Sequence, residues 1–553
     1  MAGTSEQLYV SSPGPYIMAT ATPTHPPLLP TESDVPSLAP GSYDIEKQRE
    51  GPVHISSQSE YETVVSEFQQ SDTVIIDWDG PDDPLNPRNW STRKKWAAAA
   101  TVSAFTFISP VSSSMLAPAV EQVAQEFNIT NSTEIALTIS VFVLAYAVGP
   151  LFLGPLSEIY GRALILRAAN LWFLAWNLGC GFAQNKGQLI AFRFLSGLGG
   201  SAPLATGGAV LSDMWLPEQR GEAIAIYSLA PLLGPVIGPV AGGWIAERST
   251  WRWVFWSTTI AAAIVQVCSI PFLKETFAPV LLEKKAARVR KEMDVEKGNQ
   301  RAVRTVFQTP ERVWKQLILK AMVRPFVLLI QEPIIQLVAL YLAFIYGVIY
   351  LVLTTIPDIF SNVYHENVGI GGLHYIALGL GLFLTSQANA RLLDRVYIYF
   401  KMRNGGVGRP EFRLPTVLPG AFFLPIGLFM SGWAAEKHAP WIVTDIGLAF
   451  IGSGMILTFQ GMQTYVIDAF TTYAASALAA VSCFRSLAGF GFPLFAPPMY
   501  NALGYGKGNT ILAAVALAIG PPSVFMFWKY GDRIRGMSRY AGKSALSAKK
   551  EKQ

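Results

Sequence analysis

The chain has 553 residues, of which 51% are hydrophobic and only 15% charged. Soluble domains carry about 25% charged residues, so this chain lacks the polar shell that several soluble domains would need. With a mean hydropathy of +0.32, an ordinary soluble enzyme is excluded. A polytopic membrane protein fits instead, because twelve spans of about 20 residues would use about 240 residues. The net charge of +5 is too small to point to nucleic acid.

Residues 1–95 differ from the rest. Eight prolines fall in the first forty positions, among many Ser and Thr and without periodicity, which predicts a disordered cytosolic tail. It has neither the basic nor the apolar region of a signal peptide, so the first span is expected to act as the internal targeting signal. From Trp96 apolar runs recur at 96–118, 134–154, 163–184, 189–211, 223–246, 253–273, 333–356, 373–391, 416–435, 441–465, 475–498 and 509–528. Each is long enough to cross as a helix, which satisfies its own backbone in lipid. The expected organisation is all-α: a tail (1–95), a six-helix half (96–273), a cytosolic central loop (274–332), a second six-helix half (333–528) and a basic cytosolic tail (529–553).

Lys and Arg set the orientation. With the N-terminus inside, cytosolic segments carry 36 of the 43 basic residues and external loops five. Both termini are therefore expected in the cytosol. The first external loop holds two glycosylation sequons, Asn128-Ile-Thr130 and Asn131-Ser-Thr133. A third, at Asn89, falls on the cytosolic side. Trp96, Trp251, Trp253, Trp441 and Trp528 sit at span ends, as an interfacial belt requires. Cys180, Cys268 and Cys483 lie in apolar runs, so no disulfide framework is expected. The five His show no metal-ligand spacing. No metal or cofactor is expected.

Four features carry chemistry. The turn after span 2 reads Gly154-Pro-Leu156-Ser-Glu158-Ile159-Tyr160-Gly161-Arg162. Gly154 is expected to let helices approach closely and Gly161 to permit a tight turn, while Glu158 and Arg162 can form charge-assisted bonds that hold one conformation. A weaker copy, from Ala390 through Leu392 to Asp394-Arg395, follows span 8. Its equivalent place suggests two duplicated halves around a midplane site, the plan of a transporter. In span 4, Arg193 lies inside an apolar helix, where a charge needs a partner or a wet cavity. In span 5, Gly234, Gly238 and Gly242 recur every four residues beside Pro231, Pro235 and Pro239, with Gly243 next to them. The glycines make a smooth ridge and the prolines bend the helix, which predicts a seam that packs tightly and rocks.

On these residues the chain resembles the major facilitator superfamily, and within it the fungal twelve-span drug:proton antiporters. The turn 154–162 is similar to the family's Gly-x-Leu-x-Asp-Arg-x-Gly-Arg signature, with Glu158 in place of Asp and Ile159 in place of the basic residue. Leu189 to Gly197 resembles its Leu-x-x-x-Arg-x-x-x-Gly motif, which implies proton coupling through Arg193. The span 5 ridge resembles the antiporter motif typical of exporters. Asp77 to Pro84 with Asn89-Trp90-Ser91, Glu275-Thr-Phe-Ala-Pro, Pro410-Glu-Phe-Arg-Leu-Pro415 and Arg485 to Tyr500 are similar to their counterparts in fungal members.

The resemblance implies a proton-coupled efflux transporter of drugs, toxins or secondary metabolites. It would be a monomer driven by the proton gradient, in the plasma membrane or alternatively the vacuolar one. Its partners are a small-molecule substrate, protons and the bilayer. The proton carrier is expected among Glu332, Asp358, Asp445 and Asp468, chiefly Glu332 and Asp468. No acid lies deep in spans 1, 2, 4, 5, 8 or 11, whereas Arg193 and Arg485 do. That predicts a neutral or weakly acidic lipophilic cargo. Tyr341, Phe344, Tyr346 and Tyr350 with Gln387, Gln460 and Gln463 are candidate pocket residues. Two alternatives stay open: a polyamine or organic-cation exporter, and a non-transporting membrane sensor. No complete phosphate loop or catalytic triad is present, so no enzyme is expected.

Overall fold

The computed structural model describes residues 73–216, 220–296, 302–307, 314–470, 474–538 and 541. The expected tail therefore lies, through residue 72, outside the described residues, as does 542–553. Spans 1 to 6 are carried by α1 (Thr92–Ser114), α3 (Ser132–Tyr160), α4 (Arg162–Gly181), the pair α5 (Lys186–Gly200) and α6 (Ala202–Met214), α7 (Arg220–Arg248) and α8 (Arg252–Phe272). A short α2 (Val120–Glu126) lies in the sequon-bearing loop. After α9 (Ala278–Glu296) and α10 (Trp314–Gln331), the second half holds α11 (Pro333–Asn362), a six-residue α12 (Val368–Leu373), α13 (Tyr375–Arg403), α14 (Leu418–Glu436), α15 (Trp441–Ala469) and α16 (Ala474–Met537).

Eleven helical runs among the described residues are long and apolar enough to cross a membrane. The last, Ser476–Met537, has 62 residues and would extend about 93 Å if straight. That is three times the roughly 30 Å hydrocarbon layer. It breaks at Gly504, whose φ of 77° and ψ of 170° are non-helical. Glu436 accepts a bond from the Gly506 amide at 3.3 Å just beyond the break. The run therefore supplies spans 11 and 12. Span 4 is divided at Ser201, where Pro203 enters α6 and removes a backbone donor. The core is centred on α11, which is buried over most of its length from Ile334 to Phe360.

Order begins before the expected boundary at 95. Thr73–Ile76 (β1) pairs in parallel with Ala302–Thr305 (β2), in the register Thr73 to Ala302. Lys285 of α9 bonds the Asp77 carbonyl at 2.8 Å and Asp79 Oδ1 at 2.6 Å. Asp83 folds the turn between β1 and α1: its carboxylate accepts the amides of Asp79 and Leu85 at 2.9 and 2.8 Å. Asn89 Nδ2 donates to the Pro81 and Asp83 carbonyls at 2.6 and 3.1 Å. The segment before span 1 is thus stitched to the segment between the halves. That stitch lies at the end of the bundle that carries the basic segments, the basic end; the opposite end carries Asn128 and Asn131.

Candidate functional site

At the basic end, α3 stops at Tyr160 because Gly161 turns the chain with φ of 103°. A side chain there would also strike the Glu275 carboxylate, so glycine is required twice over. Glu275 receives the amides of Arg162 and Ala163 at 2.8 and 3.2 Å and so caps the start of α4. The Arg162 side chain is buried and faces Asp213 at 3.6 Å, Ser157 at 2.5 Å and the ring of Phe277 at 4.7 Å. Glu158 lies 3.6 Å from it but is 54% exposed. The effective partners are therefore Asp213 and Glu275, which stand far from Arg162 in sequence. Gly154 plays no part in close packing, since a methyl group there would meet nothing within 4 Å.

The second half repeats the pattern. Arg413, before span 9, bonds Asp394 at the end of span 8 at 2.8 Å and Asp468 at the end of span 10 at 3.0 Å. Arg162 stands likewise before span 3, between an acid ending span 2 and one ending span 4. Asp468 thus belongs to an ion clasp at the basic end rather than to the midplane. Glu332 is buried at the start of α11, immediately before Pro333. Asp445 is bonded to His374 at 2.9 Å, and Glu366 holds the other ring nitrogen at 2.7 Å. The three cysteines are free.

Arg193 is 0% exposed. It donates to four backbone carbonyls: Ser112 at 2.8 Å, Ser113 at 2.9 Å, Thr138 at 3.1 Å and Ile139 at 3.2 Å. Ser112 and Ser113 lie in the last turn of α1, where helix carbonyls lack intrahelical donors. Its guanidinium also lies over Phe142 at 4.7 Å. The arginine therefore ties α1, α3 and α5 together.

The span 5 ridge packs inside its own half. Methyl groups would fall 2.7 Å from Pro110 Cβ at Gly234 and 2.6 Å from Ser114 Oγ at Gly238. Gly242 presses on the Met115 carbonyl. Its neighbour Gly243 faces the other half, where a methyl group would lie 2.8 Å from the Val368 carbonyl. Gly372 makes the reciprocal approach to the Pro239 carbonyl at 3.0 Å. The Gly369 amide donates to Glu247 at 2.7 Å. α7 is thus packed on α1 through one glycine row and on α12 through Gly243, and these contacts join the halves at the sequon end. Asn128 (φ 53°) and Asn131 are exposed there, and Asn131 caps α3 through the Thr133 amide at 2.9 Å.

The expected pocket residues divide. Tyr346 lies at the centre: its ring is 5.0 Å from that of Tyr350 and 4.8 Å from the Arg485 guanidinium. Tyr350 reaches Ser113 of the first half at 3.4 Å, and Tyr146 bonds Ser109 at 2.6 Å nearby. Phe344 packs on Phe492 at 6.0 Å. Tyr341 instead turns into its own half, its hydroxyl toward Gly520. Gln387 is exposed and Gln463 half-buried. Gln460 is clamped between Ser386 at 2.7 Å and Asn389 at 2.9 Å, which pins α15 to α13. Sequence reasoning did not choose Tyr146, Ser109, Ser113 or Phe459. Their signal was weak, because single hydroxyls and aromatics are common in helix packing.

Residues 102–493 match the Major Facilitator Superfamily. The efflux pump vrtL of Penicillium aethiopicum is 49% identical over 468 residues, which cover 84% of this chain and 91% of that protein. The efflux pump radE of Floropilus chiversii is 41% identical, with 84% and 85% covered. Among solved structures, the xylose transporter XylE of E. coli in a partially occluded inward-open conformation gives a TM-score of 0.59. At 16% identity, over 79% of this chain and 98% of that one, the likeness is one of fold. Twelve spans in two halves, the paired arginine clasps and these relatives agree: the chain belongs to the Major Facilitator Superfamily and is a multi-pass membrane transporter, not an enzyme.

Proposed function

We propose that this transporter is a proton-coupled antiporter that exports small lipophilic molecules, neutral or weakly acidic, across the plasma membrane. It works as a monomer with both termini in the cytosol. The observation that carries this reading is the glycine and proline seam of α7, packed on α1 on one side and on α12 of the other half at Gly243. A helix that smooth can slide and rock as the halves exchange access to a central site. The names of the efflux-pump relatives support export over uptake. The lack of acids deep in most spans supports a cargo without strong positive charge. Arg193 holds the ends of α1 and α3 in register with α5, and its fixed charge sets the field in which a proton moves.

The test is flux in vesicles holding purified protein, with an imposed pH gradient. The probes are naphthalene-2-sulfonamide and naphthalene-2-sulfonate, and protein-free vesicles supply the passive leak. Gradient-driven flux is expected, and Arg193→Ala, if still monodisperse, abolishes it. Flux indifferent to the gradient, or a variant that behaves as wild type, overturns the coupling assignment.

A further inference from the structure

We propose that Arg485 is the anchor for an anionic head group on the cargo: a carboxylate or sulfonate attached to an aromatic or otherwise apolar body. This rests on the transporter reading and names the charge of what is carried. Arg485 stands eleven residues into α16, about 16 Å along it and so near mid-membrane. Its guanidinium is held between the ring of Tyr346 at 4.8 Å and that of Phe459 at 4.9 Å. Its Nε is buried without a hydrogen-bond partner among the described residues.

Other arginines of the bundle stand beside acids or carbonyls. Arg193 has four carbonyls. Arg162 faces Asp213, Arg413 holds two aspartates, and Arg535 pairs with Glu411 at 2.9 Å. Ring stacking fixes the plane of a guanidinium but leaves the donors on its edge unused. A charge at that depth needs a counter-charge or water, and a planar fork suits an oxyanion with two coplanar oxygens.

The surroundings fit an aromatic body. One turn on, Gly489 packs closely on the Tyr346 ring, since a methyl group there would lie 2.9 Å from that ring and 3.2 Å from Val143 of the first half. The site is therefore at the junction of the halves, where a bound molecule touches both. Phe344, Phe492 and Tyr350 add apolar wall, and the Tyr350 hydroxyl adds one polar contact. A cation would meet the like charge of Arg485.

The experiment uses the full chain purified in detergent and three naphthalenes whose charge is fixed near neutral pH: naphthalene-2-sulfonate, naphthalene-2-sulfonamide and 2-naphthyltrimethylammonium. Affinities are read from concentration-dependent thermal stabilisation. The anion is expected to bind at least tenfold tighter than the other two. Arg485→Gln weakens the anion by roughly 10- to 100-fold, as loss of a charge-assisted bond implies, and leaves the neutral probe within about threefold. Arg485→Lys keeps the anion first in rank but with reduced affinity, because the fork is lost. Equal binding of the three probes, preference for the cation, or no binding of the anion overturns the proposal. If the Gln variant does not fold, the wild-type ranking and the Lys variant decide. Anion preference without gradient-driven flux would sink the antiporter reading and leave the anchor. Gradient-driven flux with cation preference would do the reverse.

Discussion

Replacing Gly238 by alanine tests whether the α7 seam needs its closeness. The added methyl would sit 2.6 Å from Ser114 Oγ, 2.7 Å from the Val111 carbonyl oxygen and 3.3 Å from the Met115 amide. Ser114 can rotate, but the Val111 carbonyl belongs to the α1 backbone, so α7 has to move away by roughly 0.5–1 Å. Overpacking of this kind costs about 1–3 kcal/mol. Alanine returns about 0.5–1 kcal/mol of helix propensity. The net expectation is a loss of roughly 1–2 kcal/mol and slower transport. Gly208, in α6, is the matched control, since a methyl group there meets nothing within 4 Å. Gly208→Ala is expected to gain about 0.5–1 kcal/mol and to transport as wild type. The assay is thermal unfolding of both variants in detergent beside probe flux in vesicles. The opposite signs are the test: Gly238→Ala as stable as Gly208→Ala, with flux unchanged, would refute the close approach.

Two further outcomes follow from the surface ends. Burial alone would raise the Asp83 carboxyl, but the amides of Asp79 and Leu85 and the charge of Lys285 outweigh it and hold the group below its ordinary value. A depressed folded value means that its stabilisation is complete above the ordinary aspartate value of about 3.9 and fades as pH falls through the lower folded one. Hydrogen-exchange protection of the Asp79 and Leu85 amides should therefore hold from pH 7 to about 5, and Asp83→Asn should weaken it by about 1–3 kcal/mol at neutral pH; protection that falls between pH 7 and 5 contradicts the assignment. In a secretory host, endoglycosidase should speed gel migration of the wild type but not of Asn128→Gln/Asn131→Gln. An enzyme-insensitive wild type argues against an external first loop.

The spans were legible because lipid demands about 20 apolar residues for each crossing, and that demand is written along the chain. Runs beginning at Pro333 and Trp441 start where expected. Helix ends were less legible, because α3 and α13 continue past their apolar stretches to Tyr160 and Arg403 without a hydropathy signal. The β1–β2 pair was hidden for another reason: four-residue strands more than 200 positions apart leave no periodicity to read. Arg162 was recognised and Glu275 stood out within a family-like segment, but their meeting, and that of Arg162 with Asp213, was not legible, since only the fold brings residues 51 and 113 positions away to Arg162. The copy at Asp394 was visible as a motif, while Arg413 and Asp468 entered it only through the bundle. Gly154 shows the opposite error, a small residue in a packing motif that faces open space. Arg193 stood out because charge is rare in a span, yet its use of carbonyls rather than a carboxylate depends on where α1 ends.

Each arginine clasp closes on acids of its own half, Arg162 in the first and Arg413 in the second, whereas the glycine contacts of α7 with α12 join the halves at the other end. In mechanical terms the molecule is two stiff levers with separate collars. The collars keep each six-helix lever from splaying where it meets the basic segments, so strain from a bound cargo cannot be absorbed by loosening one half. On the proposed export cycle it is expected to turn one lever against the other, with the α7–α12 glycines as the bearing.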